Sequence, residues 1–369
     1  MGKIIPLLGI DAHRATDRQK TGTEHYSFQI IQELLKINSL FKIRLYSDKP
    51  IKGFTGNFDH RVIHFPRLWS QVRLAVEMIV HRPNLLFVPA HTIPIIHPRT
   101  VVTLHDLGFK YFPELYDPTE LWYHNWSMNY AARHANHIIA VSEYTKEDLI
   151  KNYRIAPDRI TVIYHGWNRM LYHPPDNTEK AKNKQLYERY LYYLGRLERK
   201  KNYLQLLKSF VELKKLYPDL KLVVSGKPGV GYEETRKFIN QIDPKIRHDI
   251  IELGYTPDDQ VAKLMREALV FVFPSQFEGF GLPLIEAMAS GTPVVATKLT
   301  SIPEIAKGAG LLVKSAEPVN LVPAIKKLID NSKLRNDLIQ HGLKRANDFS
   351  WEKAGKQTME VLVKTLNEQ

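Results

Sequence analysis

Residues 269–297 read Leu269-Val-Phe-Val-Phe273-Pro-Ser-Gln-Phe-Glu278-Gly-Phe-Gly-Leu-Pro-Leu-Ile-Glu286-Ala-Met-Ala-Ser-Gly-Thr-Pro-Val-Val-Ala-Thr297. The apolar run Leu269–Phe273 predicts a buried strand that stops at Pro274. A glycine-containing turn follows, then a helix expected over Leu284–Ala289, with Pro283 in a position that favours proline. Gly291 closes that helix and Val294–Ala296 predicts the next strand. Strand, turn, helix and strand in this order build a parallel sheet. Gly279 and Gly281 allow the backbone to approach a ligand closely, and the amides of a helix N-terminus attract an anion. Glu278 and Glu286 bracket that anion site. They read either as acceptors for hydroxyls on the two sides of a diphosphate, sugar at one end and ribose at the other, or as an exposed loop residue and a surface-helix residue.

The same alternation extends in both directions. Ile4–Ile10, Lys42–Tyr46, Leu85–Val88, Val101–Leu104 and His137–Val141 read as strands, interleaved with helical spacing over Glu24–Ile37, Ser70–Val80 and Thr119–His134. A second set has strands at Leu191–Gly195, Lys221–Ser225, Ile250–Leu253, Leu269–Phe273 and Val294–Ala296. Its helices are expected over Tyr203–Leu216, Glu233–Ile242, Asp258–Glu267, Leu284–Ala289 and Val319–Asn331. Two such sets in 369 residues imply an α/β protein of two Rossmann-like domains. The stretch His173–Gln185 is almost without apolar side chains and reads as a linker, placing the boundary near 168–190.

Composition excludes whole classes of function. The chain has no cysteine, so disulfides, thiolate-bound zinc, iron–sulfur clusters and thiol catalysis are out, and a reducing cytoplasm fits. No apolar run approaches the ~20 residues that span a bilayer. The net charge of +13 is divided almost evenly between the halves, unlike the basic arm of many nucleic-acid binders. Twelve of the 15 histidines precede residue 170, which points proton chemistry or polar contacts at the first half. The glycines of Ser225-Gly226-Lys-Pro-Gly229-Val-Gly231 are not spaced as a dinucleotide fingerprint, and suit a close-approach loop at the rim of a nucleotide. Phe65-Pro-Arg67-Leu-Trp69-Ser-Gln-Val-Arg73-Leu-Ala-Val76 mixes basic and aromatic residues. It reads either as a face for an anionic membrane surface or as a helix whose apolar side is core.

Glu278 and Glu286, seven residues apart, resemble the Glu-x7-Glu signature of family 4 glycosyltransferases, retaining GT-B enzymes that use nucleotide-diphosphate sugars. The resemblance runs along the whole chain. Thr21-Gly-Thr-Glu-His-Tyr26 is similar to the family's early glycine-containing loop. Val102-Thr-Leu-His105-Asp106-Leu and Ile139-Ala-Val-Ser142-Glu143-Tyr-Thr-Lys are similar to its N-domain segments. Tyr193-Leu-Gly-Arg196-Leu-Glu-Arg-Lys-Lys201-Asn matches its donor-phosphate motif, and Phe349-Ser-Trp351 its C-terminal helix entry. The nearest branch is the bacterial mannosyltransferase-like group.

This resemblance implies a GT-B fold whose two Rossmann-like domains face each other across a cleft. Residues 1–170 would form the acceptor side, 186–348 the nucleotide-sugar side, and 349–369 a helix returning to the first domain. It implies catalytic roles for Glu278, His105, Arg196 and Lys201. Donor contacts would come from Arg196, Lys201, Glu278, Gly279, Phe280, Gly281, Leu282, Glu286, Gly226, Gly22 and Thr23. Arg196 and Lys201 fit a leaving diphosphate as fork and point charge, the alternative being a solvated basic run with Arg199 and Lys200. Asn202 is expected to cap the helix behind them, and Gly22 and Thr23 to lie on a mobile loop. His105 would sit close to the transferred sugar; His165-Gly166 reads as structural. With no Asp-x-Asp motif, no metal is expected. The implied partners are a GDP- or UDP-linked sugar and a glycan or lipid-linked acceptor, with no nucleic acid, in the cytoplasm or at the inner face of a membrane.

Overall fold

The computed structural model describes residues 5–16, 22–65, 69–175 and 187–368. The chain separates into two compact units, Met1–Gly166 with Ser350–Gln369, and Trp167–Phe349. It passes from one to the other just ahead of the polar stretch His173–Gln185, of which residues 176–185 lie outside the described residues.

The first unit is built on a sheet of β1 (Leu7–Asp11), β2 (Lys42–Ser47), β3 (Asp59–Val62), β4 (Leu85–Val88), β5 (Arg99–Leu104), β6 (His137–Ala140) and β7 (Ile160–Val162), in the order β3-β2-β1-β4-β5-β6-β7. All neighbours are parallel; Ile10 of β1 lies opposite Leu45 on one side and Phe87 on the other. Parallel strands need crossovers that bury both faces, so β4 and the body of β5 are apolar or small and fully enclosed. One face is covered by helices Gly22–Ile37 and Trp351–Asn367, and the other by helices that include Pro118–His134. The last helix packs so closely that a Cβ on Gly355 would stand 2.7 Å from Glu33 Cβ, and one on Gly166 2.0 Å from the Trp351 nitrogen.

The second unit repeats the plan with β8 (Tyr190–Leu194), β9 (Lys221–Ser225), β10 (Ile250–Gly254), β11 (Val270–Phe273), β12 (Val294–Thr297) and β13 (Leu311–Val313), ordered β10-β9-β8-β11-β12-β13. Both sheets are therefore doubly wound, with the order reversing between β1 and β4 and between β8 and β11. In such sheets the crevice beyond the strand carboxyl ends at the reversal is the ligand position.

The strands and helices expected from the sequence are present with ends shifted by a few residues; Ile4, the expected start of β1, lies outside the described residues. Edge strand β3 was not expected, because Asp59-His-Arg-Val62 has no apolar run; it is held to β2 partly by Arg44 Nε on Asp59, at 2.7 Å. Gly22 and Thr23 do not form a loop. They are the first turn of the helix Gly22–Ile37, where the Thr23 carbonyl accepts the Ser27 hydroxyl at 2.9 Å, an intrahelical contact that a loop would not offer.

Candidate active site

β8 and β11 are neighbours, with Tyr192 opposite Phe271, so the loops leaving them start side by side. One carries Arg196–Asn202 and the other Pro274–Gly281, the two motifs singled out in the sequence. Three hydrogen bonds bind the loops together. The Gln276 amide donates to the Lys200 carbonyl at 2.8 Å, Asn202 Nδ2 to the Pro274 carbonyl at 2.9 Å, and Gln276 Nε2 to Asn202 Oδ1 at 2.9 Å. Asn202 stands at the start of helix Tyr203–Lys214, but its side chain does not cap it. Its φ of +55° turns the side chain toward Pro274, so it clamps the two loops instead.

This clamp sets Lys201 Nζ 2.6 Å from Glu278 Oε1, both side chains mostly buried. The cation and carboxylate satisfy each other, and together they offer a donor and an acceptor at one point. Arg196 is more open, its Nε 3.9 Å from Glu198. The neighbouring cations are otherwise occupied, Lys200 by Glu198 at 3.5 Å and Arg199 by Glu234 at 3.7 Å.

The turn after Glu278 is pinned from the β12 side. The Glu278 amide donates to Thr300 Oγ1 at 3.1 Å, and the Ser301 hydroxyl lies 3.0 Å from both the Glu278 and the Phe280 carbonyl oxygens. Thr300 itself has φ of +53°. Phe280 is buried edge-on against Phe349, with centroids 5.9 Å apart, so its side chain anchors the turn. Gly281 takes φ of +94°, which favours glycine, and leads into helix Leu282–Ala289. The Leu282 amide opens the positive end of that helix's dipole, Pro283 has no N–H, and the Leu284 amide donates to Gly281 O at 3.0 Å. Gly279, Gly281 and Leu282, read from the sequence as an anion site, lie on this turn and helix start.

One turn further, Glu286 is only 7% exposed. Burial first, and the charge of Asp258 second, push its carboxyl up to about 8, partly offset by a hydrogen bond with the Tyr172 side chain. It is therefore not the exposed helix residue of the alternative reading. At neutral pH it is mostly the protonated acid, able to donate to a hydroxyl as well as accept from one.

Gly226 is explained by the protein itself. The segments after β8 and β9 stay joined by Gly195 N to Ser225 O at 3.0 Å and Leu197 N to Lys227 O at 2.9 Å. A Cβ at Gly226 would lie 1.8 Å from the Gly195 carbonyl oxygen, and the Gly226 amide donates to Gly254 O at 2.8 Å. The absence of a side chain serves this backbone approach.

The other expected site residues belong to the first unit. His105 follows β5 and is 7% exposed, with rings of Tyr26, His91 and His165 at 4.8, 5.7 and 5.8 Å. Burial lowers its pKa, and Nε2 lies 2.9 Å from the Pro89 carbonyl, so it is a neutral imidazole protonated on Nε2. His165 is buried in the same cluster, stacked on Trp351 at 5.6 Å. Structure also brings in residues that sequence reasoning passed over: Tyr172, Asp258, Gln276, Thr300 and Ser301. Only Thr300 and Ser301 carry any local signal, as hydroxyls in a loop following a strand.

Two parallel doubly wound sheets, with a Lys–Glu pair and a helix start at the reversal of the second, follow the plan of a GT-B glycosyltransferase. Residues 43–169 match the model for Glycosyltransferase Family 4, and 176–345 that for Glycosyl transferases group 1. The O-antigen chain mannosyltransferase B of Escherichia coli is 30% identical over 309 residues, 81% of this chain and 78% of that protein. Among solved structures, the sucrose-phosphate synthase of Thermosynechococcus elongatus superposes with a TM-score of 0.77 at 18% identity, covering 97% of this chain and 98% of that one. HepE of Anabaena, in complex with UDP and glucose, superposes with a TM-score of 0.73 at 19% identity, covering 97% and 99%. The chain belongs to glycosyltransferase family 4.

Proposed function

We propose that the protein transfers a hexose, mannose from GDP-mannose, to a glycan or lipid-linked acceptor in the cytoplasm, with retention of configuration and without a metal ion. The observation that carries this reading is the Lys201–Glu278 pair beside the helix start at Leu282. A diphosphate held there meets Lys201, Arg196 and the turn amides, which offset the charge that grows on the leaving group. Glu278 accepts from the hydroxyls of the sugar and stabilises the oxocarbenium-like state. Glu286 takes the ribose hydroxyls, and His105 contributes from the acceptor side. The C1–O bond to phosphate breaks as the acceptor oxygen bonds C1 on the same face, and the departing phosphate oxygen takes the acceptor's proton. Mannose is favoured by the name of the Escherichia coli relative. The UDP complex of the Anabaena neighbour supports the alternative donor, a UDP-linked glucose, galactose or N-acetylglucosamine.

The test is transfer from GDP-mannose and from UDP-hexoses, in EDTA, with the anomeric configuration read by NMR. Release of GDP with an α-linked product is expected. Activity lost to EDTA and restored by magnesium or manganese would overturn the metal-free step. Transfer from UDP-sugars alone would move the donor assignment to the alternative.

A further inference from the structure

The chain enters the second unit through residues 167–175, which are strapped onto that unit. Asn168 folds the strap into a turn. Its Oδ1 accepts from the Met170 amide at 3.0 Å, and its carbonyl from the Leu171 and Tyr172 amides at 3.1 and 3.0 Å. Two bonds tie the turn down: Trp167 Nε1 donates to the Ala346 carbonyl at 2.8 Å, and Arg266 Nη1 to the Leu171 carbonyl at 2.6 Å. Further along, Pro174 Cβ lies 3.6 Å from where a Cβ on Gly291 would stand. Gly291, with φ of +74°, stands just past the end of helix Leu282–Ala289, the helix that carries Glu286.

The turn exposes Met170 and sends Tyr172 inward, where it is 5% exposed and hydrogen-bonded through its side chain to Glu286. Burial, and then the charges of Glu286 and Asp258, hold the phenol in its neutral form, so its O–H donates and a carboxyl oxygen accepts. The hydroxyls nearby are committed to one another: Tyr192 OH and Thr256 Oγ1 both donate to Ser225 Oγ, at 2.9 Å each. Phenylalanine would fill the place of Tyr172 without burying a hydroxyl, and a buried hydroxyl costs stability unless it is paired. The phenol is thus matched to the carboxyl. Donation to one carboxyl oxygen fixes the plane of the group and leaves the other oxygen to a ligand hydroxyl.

We infer that Tyr172 is a positioning residue for nucleotide recognition: from the strap that leads into the second unit, it sets the Glu286 carboxyl to meet the ribose hydroxyls. The inference rests on the reading of Glu286 as the ribose contact. Tyr172 acts through Glu286, so its loss weakens recognition of the ribose and spares the diphosphate, which answers to Lys201 and Arg196.

The test is calorimetric titration of wild type, Tyr172→Phe and Glu286→Ala with GDP, UDP and their 2′,3′-dideoxy forms, in EDTA. With the nucleotide that binds, wild type is expected to prefer the ribose form by roughly ten-fold or more, and Glu286→Ala to erase that preference. Tyr172→Phe should weaken the ribose form by about five- to ten-fold and leave the dideoxy form within about two-fold of wild type. A packing defect would weaken both forms alike, so the ratio separates positioning from structure. Melting temperatures identify a variant that fails to fold. Arg266→Met frees the Leu171 carbonyl with the phenol still present; it should shift the ratio in the same direction and keeps the test standing if Tyr172→Phe misfolds. If Glu286→Ala erases the preference while folded Tyr172→Phe keeps it in full, the inference is overturned and the reading of Glu286 stands. Equal losses for the two forms in folded Tyr172→Phe would overturn it as well. If wild type shows no preference for ribose, or binds neither nucleotide, the reading of Glu286 falls and the inference falls with it.

Discussion

Replacing Glu286 by glutamine should make the protein harder to unfold at alkaline pH and change little at acid pH. The ordinary carboxyl value is 4.5, and burial together with Asp258 pushes it to about 8 in the fold. Between those values the folded protein holds a proton that the unfolded chain releases. Wild-type stability therefore falls as pH rises through this window. At 1.4 kcal/mol per tenfold, the cost reaches about 3 kcal/mol at pH 7 and roughly 5 kcal/mol once the group is ionised. Glutamine mimics the protonated acid in shape and has no proton to lose. The assay is denaturant unfolding of wild type and Glu286→Gln between pH 5 and 9, following the transition of the second unit. Taking the difference between proteins cancels the other titrating groups. An advantage for the variant that grows with pH is expected; an offset that stays constant across the range would refute the reasoning.

Arg196→Ala and Lys201→Ala should each lower turnover by about two to three orders of magnitude, because each removes charge from the leaving diphosphate. Near-normal rates in the double variant would sink that assignment. Ser301→Ala removes the hydroxyl shared by the Glu278 and Phe280 carbonyls; a loss of about 1–2 kcal/mol in stability and a fall in kcat are expected. An unchanged kcat would mean that the turn holds its shape unaided. Gly166→Ala drives a Cβ to 2.0 Å from the Trp351 nitrogen, so a thermal melt should show destabilisation of about 3 kcal/mol or more, and an unaltered melt would contradict the close packing.

What the sequence made legible was periodic or glycine-dependent. The central strands are uninterrupted apolar runs because both faces of a parallel sheet are buried. Gly281 stands out because the turn takes a φ of +94° there. What stayed hidden depends on distant residues meeting. Asn202 sits where a cap belongs, and only the neighbouring strand end at Pro274 explains why its side chain turns away. Tyr172 and Asp258 lie far from Glu286 along the chain, so nothing local tells that this carboxyl is enclosed and protonated. Gly226 reads as a ligand loop in one dimension, and only the fold shows that the Gly195 carbonyl stands where its Cβ would be. Edge strand β3 and helix Ser332–Ala346 went unread because their residues are mostly polar. Helix 69–80 shows the converse limit: its period marks Trp69, Leu74 and Met78 as core, but not that Gln71 and Glu77 are buried beside them while Val72, Val76 and Ile79 stay exposed.

The most direct measurement is calorimetric titration of the protein with GDP and with UDP, in EDTA, using wild type and Lys201→Ala. Micromolar binding of GDP to the wild type, weakened at least ten-fold in the variant, is the result expected of a diphosphate seated between the β8 and β11 loops. Binding of neither nucleotide, or binding untouched by the loss of Lys201, would contradict it.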